Sequence, residues 1–373
     1  MSKKIKFLFS MFMMLPLVVA AETKTFQQFN CSTPDSTLAM DFHYVNDLLD
    51  SSVLDMGRSK RTYGRGNIAS TGTKLKQKVH RSTDNEGNKF SYELFQVQTQ
   101  RTNLSIVRKY LEDLPNQRSL CLYKKQEQLA YWLNLHNIVL IDEIVKKYPI
   151  RNLKPLLTGT DSILTKKNIA ISGTALSLND IRNKILMTEY GKNPLIIYGL
   201  YQGIIGGPNI LKQAFTGKNV YQLLKHNASE FINSNRGTRL NNGDVTYVSS
   251  YYQRNADYFP NFQNDLEQHL LKFAEENLRE KITHSKLLKP KINNWNITDL
   301  YGTIKTYGIG LMTNQAALLD ATQGFSVDTR GDEIVGHLSK QQISKLRELM
   351  RVRAKNIGST SVVVTDLESV DEK

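Results

Sequence analysis

Residues 122–149 read LYKKQEQLAYWLNLHNIVLIDEIVKKYP, and this stretch decides the fold. With Trp132 as the origin and about 100° added per residue, Leu140, Leu133, Ile141, Val145, Ile138, Leu135 and Val139 spread over almost the full circle. A helix that is apolar on nearly every side is a buried helix. It does not suit a bilayer, because Asn134, His136, Asn137, Asp142 and Glu143 interrupt it and Lys146-Lys147 close it, whereas a spanning helix needs roughly 20 apolar residues in a row. Pro149 ends it. The reading predicts the core of a large domain: an α+β fold, mainly helical, around this central helix, with a small β-sheet.

The elements around it follow from period and punctuation. Phe42, Val45, Leu48, Leu49 and Val53 recur at helical spacing before Gly57, and Leu104, Val107, Leu111 and Leu114 do so before Pro115. The second of these helices is expected to pack on the central one. Segments 74–80 and 90–94 read as strands flanking a turn at 84–87, and 169–172 with 174–176 as a hairpin about Gly173. Ser177 stands three residues before Asp180, the spacing of a capping box, and predicts a helix over 178–187. Helices are expected over 208–215, 219–231 and 265–277. His226 and His269 read as exposed on two of them.

Within the central helix, W-L-N-L-H-N at 132–137 resembles the signature of the family known as domain of unknown function 547, whose members read W-I-N-L-Y-N or W-I-N-L-H-N. YPIRNL at 148–153, AISGTALSLNDIRNKIL at 170–186, PNILKQAFTGKNVYQLLKHNASEFINS at 208–234 and SYYQRNADYF at 250–259 resemble the family in the same order. The resemblance covers roughly 44–273 and names no activity. Many members resemble C-A-S-x-G-C-P where this chain reads QGIIGGP at 202–208. Aligning Gly206 and Pro208 puts Gln202 and Gly207 where the two cysteines would stand, so the chain is expected to be a variant without that thiol chemistry.

At the start, Lys3, Lys4 and Lys6 precede an apolar run from Phe7 to Ala21 with small residues before Glu22, the form of a bacterial secretory signal peptide over 1–21. The expected location is the periplasm or outside the cell, with no transmembrane segment after cleavage. Removal of those three lysines lowers the formal net charge from +14 to +11. Outside the cytoplasm that excess suits an anionic envelope component or a protein partner rather than nucleic acid, and the aromatic interleaving of a single-strand binder is absent. It also suits a plain solvated surface. Cys31 and Cys121 are the two cysteines, an even pair in a compartment where disulfides persist. A bridge between them would close a long loop; two separate buried thiols are the alternative.

The pattern does not indicate a cofactor or a metal: the glycines at 203–207 lack a phosphate-binding fingerprint, and the histidines lack zinc-like spacing. Asn134 and Asn137 lie one turn apart on one side of the central helix, with His136 on another. The two asparagines are expected to fix the glycine-rich loop, so that Gln202 forms the floor of a cleft lined also by Tyr201 and Asp257. Domain boundaries are expected at 22–285 for the family-like domain, 286–358 for a helical C-terminal extension and 359–373 for a disordered tail. Ser339, Gln342, Leu338 and Ile343 specify the start of the last helix. Two function classes remain: a noncatalytic envelope protein that binds an anionic polymer, lipid or protein partner, and a hydrolase or acyl-transfer enzyme with His136 or Asp257 as base.

Overall fold

The computed structural model describes residues 26–59, 61, 83, 86–240, 244–300, 344, 345, 348 and 351. The chain folds as a mainly helical α+β domain with small sheets of two and three strands. At its centre α3, Lys125–Val145, follows α1, His43–Ser52, and α2, Gln98–Gln117. From Glu127 to Val145 every residue of α3 is buried, as a helix apolar all round must be. Among the described residues no helix is long and apolar enough to cross a membrane.

Helix α2 packs on α3 through Leu104, Val107 and Leu111, and the Tyr131 hydroxyl donates to the Leu111 carbonyl at 3.1 Å. Arg108 locks the pair, reaching Glu112 at 2.8 Å, Asp142 at 2.7 Å and Glu143 at 3.1 Å. Pro115, expected to follow α2, lies inside its last turn. Before α3, Cys31 and Cys121 form a disulfide with Cα atoms 4.8 Å apart. It closes a loop of 90 residues, a constraint on the unfolded chain of about 4 kcal/mol in the entropy model. The Gln128 amide organises this corner by donating to the carbonyls of Cys31, Leu120 and Tyr123.

Strands β1, Val53–Leu54, and β2, Lys89–Phe90, pair antiparallel. Residues 92–94 of the expected 90–94 strand fall instead in a 3-10 turn over Tyr92–Gln96, while 74–80 and most of the neighbouring basic loop lie outside the described residues. After the short helix α4, Lys154–Thr158, strands β3, Ile169–Ile171, and β4, Thr174–Leu176, form the expected hairpin. Its turn places Ser172 and Gly173 at φ 47° and 77°. Helix α5, 178–189, contains a π-helical turn over Asp180–Leu186 and opens on the expected capping box. The Ser177 N–H donates to Asp180 at 2.9 Å, and the Asp180 N–H to the Ser177 hydroxyl at 3.1 Å. Burial pushes the Asp180 carboxyl up, but the Ser177 bonds and Lys184 outweigh it and hold its pKa below the ordinary value.

Residues 208–215 are irregular, against the expected helix. Side chains hold that stretch open instead: Asn88 donates to the Ile210 carbonyl, Asn227 to that of Asn209 and Asn219 to that of Ala214. Helix α6, Val220–Ile232, then leads to β5, Thr238–Leu240, β6, Val245–Ser249, and α7, Ser250–Arg254. The expected helix over 265–277 is two, α8, Phe262–Phe273, and α9, Glu276–Thr283. His226 is exposed, but His269 is buried on α8, stacked on Tyr198 with its Nε2 3.0 Å from the Tyr198 hydroxyl. Burial, reinforced by Lys272, lowers its pKa to about 4.

The largest departure concerns residues 286–300. Strand β7, Leu287–Ile292, pairs parallel with β6, which in turn pairs antiparallel with β5. The following residues thread between two loops: the Ile297 N–H donates to Arg151, the Leu153 N–H to Trp295, the Ile205 N–H to Asn296 and the Thr298 N–H to Gly203. Ile297 and Leu300 are buried. The expected boundary at 286 therefore cuts through the domain, because helical period and family resemblance carry no signal for an inserted strand. Of the proposed final helix only Ser344, Lys345, Glu348 and Arg351 are described, all helical, with Lys345 and Glu348 paired at 3.1 Å. The segments expected to be a signal peptide and a disordered tail lie outside the described residues.

Candidate functional site

The glycine-rich loop is fastened on both sides by α3. Asn137 donates to the Gly199 carbonyl at 2.9 Å and accepts from the Tyr201 N–H at 3.0 Å, just ahead of Gln202. Asn134 exchanges both amide bonds with the Phe215 backbone, at 2.8 and 3.0 Å. Each asparagine thus holds a buried segment that would otherwise leave polar groups unpaired, at about 1–3 kcal/mol apiece. Gly203 takes φ 71°, and a Cβ there would overlap the Ile144 side chain. At Gly206 a Cβ would lie 2.9 Å from the Asn294 backbone, which accepts the Gly206 N–H at 2.8 Å. The loop is pressed against the chain that follows β7.

A cleft of about 310 Å³ opens on this junction. Gln202 and Asp257 line it together, as expected from the sequence, with Arg182 from α5, Arg254 from the end of α7, Asn255, and Trp295 after β7. Gln202 is buried, its amide making only long contacts of 3.5 and 3.4 Å to the carbonyls of Leu200 and Tyr201. Asp257 is exposed. Asn134, Asn137 and Tyr201 do not line the cleft. The Tyr201 hydroxyl points inward, 3.0 Å from Tyr92 and in a short bond with Thr298, and burial raises its pKa to about 12.

Arg182 is buried and donates through NH2 to the side-chain amide oxygen of Asn255 at 3.1 Å, while its Nε has no hydrogen-bond partner. Trp295 Nε1 likewise has none. Arg254 is exposed as a residue, but its guanidinium lies 4.5 Å from the Trp295 ring centroid. Desolvation lowers its pKa to about 10, with Tyr251 opposing and Arg182 adding to the shift. Of the two arginines, Arg254 keeps its charge at neutral pH. Among the described residues neither forms an ion pair. Arg182 and Arg254 lie inside two of the family-like stretches, 170–186 and 250–259, but nothing there marks them as site residues, and Trp295 lies past the last of these stretches; their convergence on one cleft discloses them.

His136 is fully buried, with Nδ1 3.0 Å from the side-chain amide oxygen of Asn137 and Nε2 unpartnered. Burial, reinforced by the Arg182 charge, lowers its pKa to about 3, so the ring is neutral. It does not line the cleft. Among the described residues the hydrogen-bonded histidine side chains meet Asp41, Asn137, Tyr198 and the Glu280 carbonyl, and none meets a serine, threonine or cysteine.

Behind the loop lies a second, differently charged cluster. Arg236, 1% exposed, pairs with Glu230, bonds the Gly207 carbonyl and donates to Asn209 at 2.9 Å. Glu86 accepts from the backbone N–H groups of Asn235 and Arg236 at 3.0 and 2.9 Å. Burial raises the Glu230 pKa to about 7; Arg236 works against the shift while Glu86 and Asp55 reinforce it. Glu230 and Asn209 face a separate cleft of about 510 Å³. Among the described residues no group of histidine, cysteine or carboxylate side chains is arranged to hold a metal ion.

The model of the family described as "Protein of unknown function, DUF547" matches residues 121–232, from the disulfide cysteine through the central helix and the loop to the end of α6. Over these residues the chain carries a domain that matches that family. No curated protein and no solved structure matches the chain.

Proposed function

We propose that the chain is an exported, noncatalytic binding domain of the bacterial envelope, which holds an anionic group of a polymer, lipid or protein partner in the cleft over Gln202. The observation that carries this reading is the pair Arg182 and Arg254: two guanidiniums in one cleft against the single carboxylate of Asp257, neither in an ion pair among the described residues. A desolvated cation without a counter-charge is costly unless something supplies one. Gln202 stands where, by resemblance, family members carry a cysteine, and its amide is no nucleophile. The disulfide favours an oxidising compartment, in keeping with the lysine-led apolar start. The +14 formal charge favours anionic surfaces in general.

Co-sedimentation of the exported full chain tests the reading, against isolated cell walls and against vesicles of phosphatidylglycerol or phosphatidylcholine. Walls or phosphatidylglycerol should bring the protein down, and a double Arg182→Gln, Arg254→Gln variant should bind at least about tenfold more weakly. Undiminished binding by the double variant would move the site away from this cleft. Chemical turnover of the bound material would favour the enzyme class instead.

A further inference from the structure

We infer that the cleft recognises the terminal carboxylate of a peptide-like chain: a planar group with one negative charge beside an amide. The inference rests on the anion-binding reading above and narrows it by three features of the same cleft. The first is the geometry of unused donors. Arg182 Nε and Trp295 Nε1 are two N–H groups without an acceptor on two residues that line one cleft. A carboxylate offers two coplanar oxygens, and guanidinium forks match it well.

The second is charge count. Arg182 and Arg254 share the cleft with Asp257, so the three groups sum to a single positive charge. One negative charge balances that sum, whereas a dianion such as phosphate would place an uncompensated charge beside the Asp257 carboxylate. The third is the floor. The Gln202 amide makes only contacts of 3.4 and 3.5 Å to its own neighbours, which leaves a donor and an acceptor suited to a peptide amide. At about 310 Å³ the cleft is at the small end of ligand sites and takes a chain end rather than a length of polymer. A protein C-terminus and a peptide branch of an envelope polymer both present this group.

The test is titration of the exported full chain, by calorimetry or by NMR, with N-acetylglycine, its neutral amide N-acetylglycinamide, and inorganic phosphate. N-acetylglycine should bind at least about tenfold more tightly than either of the others. Arg254→Gln should weaken it by a similar factor, and Asp257→Asn should raise phosphate affinity so that the carboxylate preference shrinks about tenfold. Phosphate binding as tightly as N-acetylglycine, or an unchanged preference in Asp257→Asn, overturns the carboxylate inference and leaves the anion reading standing. Undiminished sedimentation by the double arginine variant, with none of the probes bound, overturns both. Displacement of cell walls by N-acetylglycine and not by its amide assigns the source to wall peptides; probe binding without displacement assigns it to protein C-termini.

Discussion

Arg236 and Arg182 are both buried, 1% and 8% exposed, and they stand near opposite ends of the loop from Gln202 to Asn209. Arg236 is embedded among its own partners: the Glu230 carboxylate and the Asn209 amide bind it, and Glu86 caps its backbone. Arg182 has one neutral amide and an idle Nε. The difference separates a charge that belongs to the scaffold from one left for something outside it. Arg236 joins the loop to α6 through the Gly207 carbonyl and Glu230, so its energy goes into holding the loop in place. Arg182 lies on the face of α5 that the cleft exposes to a ligand.

The largest expected effect tests the scaffold side. Arg236→Met should lower unfolding stability by about 3–5 kcal/mol, because it leaves Glu230 buried without its partner. Urea unfolding followed by circular dichroism measures it, and a loss smaller than that of an Arg182 variant would break the comparison.

The acid partner sharpens it through pH. The His136 and His269 pKa values lie near 3 and 4, below the ordinary 6.5, so the unfolded chain takes up protons first and stability falls as pH drops below 6.5. Glu230 runs the other way. Its folded pKa near 7 exceeds the ordinary 4.5, so its contribution is full below 4.5 and is lost as pH rises through 7. Two histidines against one carboxyl leave a net loss of about 1.5 kcal/mol between pH 6.5 and 5. Glu230→Gln removes the opposing titration, and the loss over the same interval should roughly double. Equal slopes in the two proteins would mean that Glu230 does not titrate in this range.

The smallest effect on stability is expected at Arg182. Arg182→Gln should unfold within about 1 kcal/mol of the parent, since little is bonded to the side chain it replaces. The same variant should nonetheless lose most of its affinity for cell walls or N-acetylglycine. A destabilisation as large as that of Arg236→Met would show Arg182 to be scaffold as well.

Much of the frame was legible along the chain. The all-round apolar pattern of 122–149 requires burial wherever the rest of the chain goes, and α3 is buried from Glu127 to Val145. The Ser177–Asp180 box and the Gly173 turn are bonds between near neighbours, so spacing alone specifies them. Cys31 and Cys121 were a plausible pair by count and compartment, but their 4.8 Å Cα separation is a fact of packing. His269 misled because its helical face looked polar, while Tyr198 and Phe259 close over it.

The sequence by itself determined the family resemblance, carried by short stretches in a fixed order, and the buried axis and the local caps, each set by residues within a turn or two of one another. Tertiary structure alone decided the cleft. Gln202 and Asp257 could be nominated, but Arg182, Arg254 and Trp295 come from 113 residues of chain between the first and the last. They meet because β7 inserts beside β6 and carries 293–298 across the glycine loop. No periodicity marks that crossing, because its hydrogen bonds are made by backbone groups that every residue possesses. The same backbone bonds put Trp295 beside Arg254, a contact on which the proposed anion site depends.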